Sequence, residues 1–177
     1  MKTRTDFRTS SAMLLVLATT LAAWSCDSPT APSTEITAET SSLRLTGAQV
    51  LFNGEIVNGQ TMHTGQMQPG SVLFRATLLG AGGHPALGNT VHVEYRFPGG
   101  GMGPMGGQHG LLGLFDDGTH GDPVAGDGIY CFEDVQHRYG FHMQGAPYGQ
   151  YHYEFFGLDH LQHRSNHMSV FVTVVQD

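Results

Sequence analysis

The segment from Leu114 to Phe132 carries the side chains with the clearest chemical potential. It reads L-F-D-D-G-T-H-G-D-P-V-A-G-D-G-I-Y-C-F and holds four carboxylates and four glycines within thirteen positions. The carboxylates are those of Asp116, Asp117, Asp122 and Asp127. Carboxylate oxygens are the ligands that calcium prefers, and Asp117, Asp122 and Asp127 recur at five-residue intervals. We therefore predict a calcium site at these three residues, with a spacing unlike that of an EF-hand loop.

The same composition also has a purely structural explanation. Glycine adopts the positive φ angles that tight turns require, and aspartate side chains cap the turns in which they lie. On this interpretation the segment is a compact corner between two strands, and its acidity serves the backbone rather than an ion. The sequence favours this structural role over the calcium site without excluding calcium.

Histidine is the second unusual feature of the chain. All eleven histidines lie at or after residue 63, and three of them are His160, His163 and His167. These three fall in G-L-D-H-L-Q-H-R-S-N-H, which is typical of a hairpin loop. Imidazole suits copper and zinc, so a transition-metal site at these three residues is an alternative hypothesis. Histidines such as His92 and His152 instead alternate with apolar residues, as solvent-facing strand positions do.

Enzymatic activity is not predicted. The chain contains neither G-x-S-x-G nor H-E-x-x-H, and clustered aspartates in a glycine-rich turn seldom form a substrate cleft. The glycine- and methionine-rich run at 98–110 lacks the Lys-Ser/Thr pair of a nucleotide-binding loop. Cys131 follows a tyrosine in an apolar stretch and is interpreted as a small buried side chain. We expect a protein that binds rather than catalyses.

The elements that would position these residues are strands. In V-H-V-E-Y-R-F, apolar and polar residues alternate with a period of two, which is typical of a half-buried strand. Further strands are predicted at Ala48–Val57, Ser71–Leu79, Leu111–Phe115, Gly128–Val135, Tyr151–Phe156 and the C-terminal N-H-M-S-V-F-V-T-V-V. About seven short strands without a clear amphipathic helix predict an all-β fold, a Greek-key immunoglobulin- or fibronectin-like β-sandwich, with a small barrel as the alternative.

The N-terminus predicts export. Three basic residues precede the apolar run Ala12–Ala23, which is too short to span a bilayer comfortably. Ser25-Cys26 at its end, followed by D-S-P-T-A-P-S-T, resembles the lipobox of bacterial lipoproteins, although Ala23 and Trp24 depart from the usual pattern. The resemblance implies a lipoprotein signal peptide at 1–26 with lipid attached to Cys26. The alternative is an ordinary secretory signal.

The remaining chain divides into a tether and one domain. Residues 27–42 are rich in Ser, Thr and Pro and are predicted to be a disordered tether, and 43–177 has the length of one immunoglobulin-like domain. The net charge is −7, and Lys2 is the only lysine. Nucleic-acid binding is not expected, because phosphate contacts need a basic surface.

The central motif also resembles a known class of domain. D-D-G-x-x-G-D-x-x-A-G-D-G-Φ-Y, present from Asp116 to Tyr130, is similar to a pattern in immunoglobulin- or fibronectin-like domains of exported bacterial proteins, some of the choice-of-anchor X type. A related run occurs in the β-sandwich of calcium-activated chloride channel regulators. The later Gly149-Gln150-Tyr151-His152-Tyr153 fits the same pattern. The resemblance implies an accessory module and names no activity.

These observations lead to one expectation and one alternative. We expect a lipid-anchored, immunoglobulin-like module of the cell envelope that binds or displays an unknown envelope protein or glycan, with calcium as a stabilising ion. The anchor would lie in the inner or outer membrane, and a secreted protein is the alternative location. The alternative function is that of a periplasmic or surface lipoprotein that binds copper or zinc.

Overall fold

The computed structural model describes residues 42–67, 69–99, 109–141 and 146–177. The predicted signal peptide, Cys26 and the tether up to residue 41 lie outside these ranges. Nothing helical in the described parts is both long and apolar enough to cross a membrane. The only helices there are two 3-10 turns, Thr64–Gln66 and Ala81–Gly83.

The described residues form nine strands in two sheets. In chain order the strands are β1 (Arg44–Phe52), β2 (Glu55–Ile56), β3 (Thr61–His63), β4 (Val72–Leu79), β5 (Thr90–Arg96), β6 (His109–Leu114), β7 (Ile129–Asp134), β8 (Gly149–Leu158) and β9 (Met168–Val175). The four-stranded sheet has the order β2-β1-β4-β7, and the five-stranded sheet has the order β3-β9-β8-β5-β6. All named pairs are antiparallel except β3 with β9.

This topology is that of an immunoglobulin-like sandwich. The chain crosses between the sheets from β2 to β3, from β3 to β4, from β4 to β5, from β6 to β7 and from β7 to β8, which produces Greek-key connections. The Tyr151 hydroxyl donates a 2.9 Å hydrogen bond to the carbonyl of Pro147, a few residues upstream on the way into β8. A tyrosine bonded in this way near the start of the corresponding strand is typical of immunoglobulin-like domains. The predicted fold class is confirmed.

The sequence placed the first strand incorrectly. The predicted strand Ala48–Val57 is instead β1, which ends at Phe52, and a hairpin turn follows. Asn53 and Gly54 both have positive φ, 51° and 85°, as the central residues of a type I′ turn do. The Asn-Gly dipeptide was a signal for this turn. The short strand β3 was also missed, since its parallel pairing with the C-terminal β9 is not local.

The core forms between the two sheets because apolar side chains alternate along the strands. In β4, Val72, Phe74, Ala76 and Leu78 are all fully buried, while the residues between them face outward. Opposite them, β8 contributes Tyr153, whose ring centroid lies 5.1 Å from that of Phe74. Packing in the core holds β5, β6 and β7 in place, and the candidate residues of the Asp-Gly segment lie in the connection between β6 and β7.

Candidate functional site

The Asp-Gly segment, Asp116–Gly128, connects β6 of one sheet to β7 of the other, as the predicted corner requires. Its carboxylate with the most bonds is that of Asp116, which accepts hydrogen bonds from three backbone N–H groups. The donors are Gly126 at 2.6 Å, Asp127 at 3.2 Å and Gly128 at 2.9 Å. These bonds draw the end of the segment back onto its beginning, so Asp116 closes the loop.

The other three carboxylates cap the turns in which they lie. Asp122, which is 3% exposed, accepts from the N–H groups of Gly118 and Val124 at 3.0 and 3.1 Å. Asp117 accepts from the N–H and the hydroxyl of Thr119, and the hydroxyl bond is the main cause that lowers the pKa of Asp117. Asp127 accepts from the N–H of Ile129 at 2.8 Å. Three of the four aspartates therefore bond to backbone groups of their own segment, and Asp127 bonds to the first residue of β7.

The segment also closes the outer edge of β7. The Phe115 N–H and C=O bond to the C=O and N–H of Cys131 at 2.9 and 2.8 Å, and Asp127 takes the N–H of Ile129. These groups would otherwise face outward, because β7 is the last strand of its sheet. An unpaired edge can pair with another chain, and natural proteins block it. In this protein, part of the block is made by the Asp-Gly segment.

Cys131 lies under this closure. It is free and fully buried, and burial, with the nearby charge of Asp122, raises the pKa of its thiol to about 11. The thiol is therefore protonated at neutral pH, which suits a packing side chain better than a nucleophile.

The structure shows how the residues of the two predicted metal sites are arranged, but it does not test whether either site binds a metal. In the described parts of the chain, no group of three or more His, Cys, Asp or Glu side chains is arranged to hold a metal ion. Asp117, Asp122 and Asp127 lie in one segment, but each caps a separate turn. Calcium binding therefore stays a prediction.

His160, His163 and His167 lie in the β8–β9 loop, as predicted, without converging on one point. His163 Nδ1 lies 2.9 Å from Asp159, and His167 Nδ1 lies 2.6 Å from Glu154, whereas His160 is exposed. The copper or zinc site also stays a prediction.

Carboxylate–histidine pairs recur elsewhere in the domain. His63 Nδ1 lies 2.8 Å from Asp177, and His120 Nδ1 lies 3.3 Å from Asp117. With His163 and His167, four histidines have Nδ1 next to a carboxylate. Such a contact favours the tautomer with the proton on Nδ1, in which Nε2 carries a free lone pair. Asp117 and Asp159 lie three and four residues before their histidines, and Glu154 lies on β8, next to the strand that begins directly after its histidine. Asp177 is far from His63 in sequence.

The outer face of the five-stranded sheet stacks histidines on phenylalanines. His152 lies over Phe171 with ring centroids 4.5 Å apart. Phe156 is almost fully buried on this outer face, beneath His92, His167 and the guanidinium of Arg164, which lies 4.3 Å from the ring centroid. Burial, together with the charge of Arg164, lowers the pKa of His92. Period-two alternation predicted that these side chains face outward but could not predict their stacking.

A groove next to the Asp-Gly segment is a concave feature that the sequence did not reveal. It has a volume of about 390 Å³ and runs between the turn into β5 and the end of β6; we call it the Leu87 groove. Its lining residues are 87–92, 113–117, Gly126 and Tyr130. Leu87 and Phe115 are 58% and 41% exposed in it, and a Cβ at Gly113 would meet no atom within 4 Å. The cue in the sequence was Gly113 between two leucines, which leaves the sheet without a side chain there.

Comparisons with known proteins add nothing to the fold and the groove. No family model matches the chain, and no curated protein or solved structure is significantly similar to it. The structure defines an all-β, immunoglobulin-like sandwich.

Proposed function

We propose that the chain is an exported, lipid-anchored, immunoglobulin-like module of the cell envelope that binds an envelope protein or glycan without catalysis. The Leu87 groove is the observation that carries this proposal. Its volume of about 390 Å³ falls within the usual range for ligand sites, which are mostly apolar with a few polar groups that fix orientation. The groove is lined in this way, by Leu87, Phe115 and Tyr130 with Asn89, Asp116 and Asp117.

The walls of the groove are held by hydrogen bonds, which supports a preformed site. The Tyr130 hydroxyl donates to the carbonyls of Ala86 and Asn89 at 2.9 and 3.2 Å, so β7 and the turn into β5 are tied together. On the other side, Asp116 holds the end of the Asp-Gly segment. A partner would meet a surface that needs little ordering, and binding to ordered surfaces loses less entropy.

Binding is tested with the mature chain, residues 27–177 without lipid, and isolated bacterial envelopes in a co-sedimentation assay. We expect Leu87→Ser to lower the bound fraction several-fold, because it removes the apolar side chain with the highest exposed fraction in the groove. Leu161→Ser is the matched control, since Leu161 is 59% exposed and lies outside the groove. Treating the envelopes with protease or with glycan-degrading enzymes distinguishes a protein partner from a glycan. Equal binding by both variants would contradict the role of the groove.

The anchor is tested separately, on the full chain expressed in a bacterium. We expect radiolabelled palmitate to be incorporated and the protein to sediment with membranes, and Cys26→Ser to abolish both. Export of an unlabelled wild-type chain would instead favour the secreted alternative.

Calcium is proposed as a stabilising ion of the Asp-Gly segment. The carboxylates of Asp117, Asp122 and Asp127 keep lone pairs beyond those used by backbone N–H groups, since a carboxylate has about four acceptor sites. We expect millimolar calcium to raise the melting temperature relative to EDTA, and Asp127→Asn to reduce the increase, with magnesium as the control ion. An unchanged melting temperature would remove calcium from the proposal.

Transition-metal binding is the second candidate, favoured by the four histidines whose Nδ1 lies next to a carboxylate. Metal-bound histidines are usually oriented in this way, with Nε2 towards the ion. Calorimetry with copper and zinc tests it. We expect combined substitution of His160, His163 and His167 by alanine to remove the tightest binding, whereas His84→Ala, a change at another exposed histidine, should leave it intact. Binding that survives the triple substitution would exclude this cluster.

A further inference from the structure

The four edge strands of the sandwich differ in how their outward backbone groups are satisfied. β2 and β3 contain only two and three residues, and the edge of β7 is covered by Phe115 and Asp127. β6 is six residues long, reads H-G-L-L-G-L, and pairs with β5 without a bulge. Exposed edges of this length are normally protected by charge, proline, a bulge or a cover. β6 has no charged residue, proline or bulge.

The direction of its free backbone groups follows from Phe115. The N–H and C=O of Phe115 point to Cys131 and therefore away from β5. Because these groups alternate in side from one residue to the next in an antiparallel strand, those of Gly113, Leu111 and His109 also point away from β5. Within the described ranges, no backbone group bonds to them. Leu111, in the middle of this row, is 59% exposed.

We propose that the free edge of β6 binds an extended, basic segment of a partner protein by antiparallel strand addition. The proposal rests on the binding role proposed above but not on the Leu87 groove. Backbone hydrogen bonds to an open edge supply affinity in this mode of recognition, and pockets for alternate side chains supply specificity.

A cleft beside Tyr139 offers room for the alternate side chains of an added strand. It has a volume of about 280 Å³ and is lined by Phe132, Val135 and Tyr139, with His120, Arg138 and acidic neighbours. Tyr139 packs against Tyr95, with ring centroids 5.5 Å apart. The Tyr95 ring lies so close to β6 that a Cβ at Gly110 would collide with it. Tyr139 and Tyr95 therefore link the cleft to the inner face of β6, and we place the inward side chains of an added strand in it.

Charge selects the type of segment. β6 is followed by Phe115 and then by Asp116 and Asp117, and an antiparallel partner strand begins at that end. Asp117 is exposed, and the chain as a whole carries a net charge of −7. Opposite charge favours encounter and fixes register. The expected partner segment therefore has basic residues first and an alternating apolar stretch after them.

The test uses the mature chain and a fluorescent peptide that reads Lys-Arg-Thr-Val-Thr-Val-Thr. Leu111→Pro removes the outward N–H and leaves every bond between β5 and β6, because the lost donor faces away from β5. We expect it to weaken peptide binding by about tenfold or more, the size expected for a lost backbone hydrogen bond with its register. Leu111→Ala keeps the N–H and should weaken binding less.

Two further measurements keep the proposal falsifiable if proline disturbs the strand. Leu111→Lys keeps the N–H but adds a charge that repels the basic peptide, so binding should fall while the melting temperature stays near that of the wild type. Bound peptide should also slow hydrogen exchange at the Leu111 and Gly113 amides. A peptide that begins Asp-Glu in place of Lys-Arg should bind more weakly.

Three results would overturn the proposal. One is equal peptide binding by the wild type and Leu111→Pro, and another is no binding to the wild type. The third is a wild-type dimer that Leu111→Pro converts to a monomer, which would assign the edge to a second copy of this chain. If Leu87→Ser abolishes envelope binding while Leu111→Pro does not, only the inference about β6 fails and the proposed function stands.

Discussion

The two long edge strands of this sandwich, β7 and β6, adjoin the same segment but differ in whether their outward backbone groups are bonded. At β7 the outward groups of Ile129 and Cys131 are taken by Asp127 and Phe115. At β6 the outward groups of His109, Leu111 and Gly113 have no backbone partner in the described part of the chain. The contrast arises because Phe115, directly after β6, directs its N–H and C=O away from β5 and bonds with them to Cys131 of the other sheet.

The difference changes how the acidic motif is interpreted. Four carboxylates in one short segment suggest a binding site, yet each of them bonds to backbone N–H groups of that segment or, for Asp127, of the adjoining Ile129. Their acidity therefore contributes first to closing a corner. In the described part of the chain, two surfaces beside the motif remain for the proposed partners, the Leu87 groove and the edge of β6.

The largest expected effect tests whether closure of the β7 edge depends on the backbone path of the Asp-Gly segment. Gly128 has a φ of 84°, and a Cβ there would lie 2.8 Å from Cβ of Pro85. We expect Gly128→Ala to lower the free energy of unfolding by about 3 kcal/mol, from left-handed strain and steric overlap together. Gly126→Ala is the matched control, because its φ is 77° and its Cβ would meet no atom; it should cost about 1 kcal/mol. Denaturant unfolding measures both, and equal losses would contradict the close approach.

The next effect tests which aspartate closes the loop. Asp116→Ala leaves three backbone N–H groups without their acceptor. We expect a loss of about 2 kcal/mol in the free energy of unfolding, since hydrogen bonds to charged groups contribute roughly 1.5–3 kcal/mol. Asp117→Ala should cost clearly less, because the Asp117 carboxylate is exposed and caps only one turn. A larger loss at Asp117 would reverse the assignment and favour the calcium interpretation.

The sequence could predict the closed corner because its signals are local. Period-two alternation identified the strand at 90–96, and clustered Asp and Gly identified the turn between β6 and β7. Buried Cys131 also follows from its apolar neighbours. The sequence could not predict which N–H donates a hydrogen bond to each carboxylate, since that depends on the backbone direction at every turn. Asp116 was outside the predicted calcium set and makes the most backbone bonds of the four aspartates.

The open edge and the groove could not be predicted because they depend on which strands lie next to each other. Nothing in H-G-L-L-G-L states that β6 is the last strand of its sheet. The Asn53-Gly54 turn was a local signal that was missed. The pairing of β3 with β9, the contact of His63 with Asp177 and the stacking around Phe156 all join residues whose proximity only the fold determines.

The third effect tests how completely water is excluded from the edge of β7. It is measured as the pH dependence of the free energy of unfolding that the Cys131 thiol causes. Burial raises the pKa of this thiol from 9.0 to about 11, so the protonated form is favoured in the folded state. Its contribution to stability is full below pH 9 and is lost as the pH rises towards 11. The wild type should lose about 2 kcal/mol over this range relative to Cys131→Ala, at roughly 1.4 kcal/mol per pKa unit. Parallel pH profiles of the two proteins would mean that the thiol is solvated.

The smallest effect compares the two edges by one substitution. Proline removes an N–H, so it should be costly where that N–H is bonded and tolerated where it faces solvent. Phe115→Pro loses the bond to the Cys131 carbonyl, and we expect it to cost about 1 kcal/mol more than Phe115→Ala, which accounts for the lost ring.

At the open edge, Leu111→Pro should cost no more than a few tenths of a kcal/mol beyond Leu111→Ala, because the lost N–H is outside the β5–β6 ladder. Denaturant unfolding of the four variants gives the two differences directly. Equal differences at Phe115 and Leu111 would mean that β6 is covered as β7 is, and the edge would then be unavailable to a partner strand. A cost confined to Phe115 would establish that the outward N–H of Leu111 forms no bond that the fold needs, which strand addition requires.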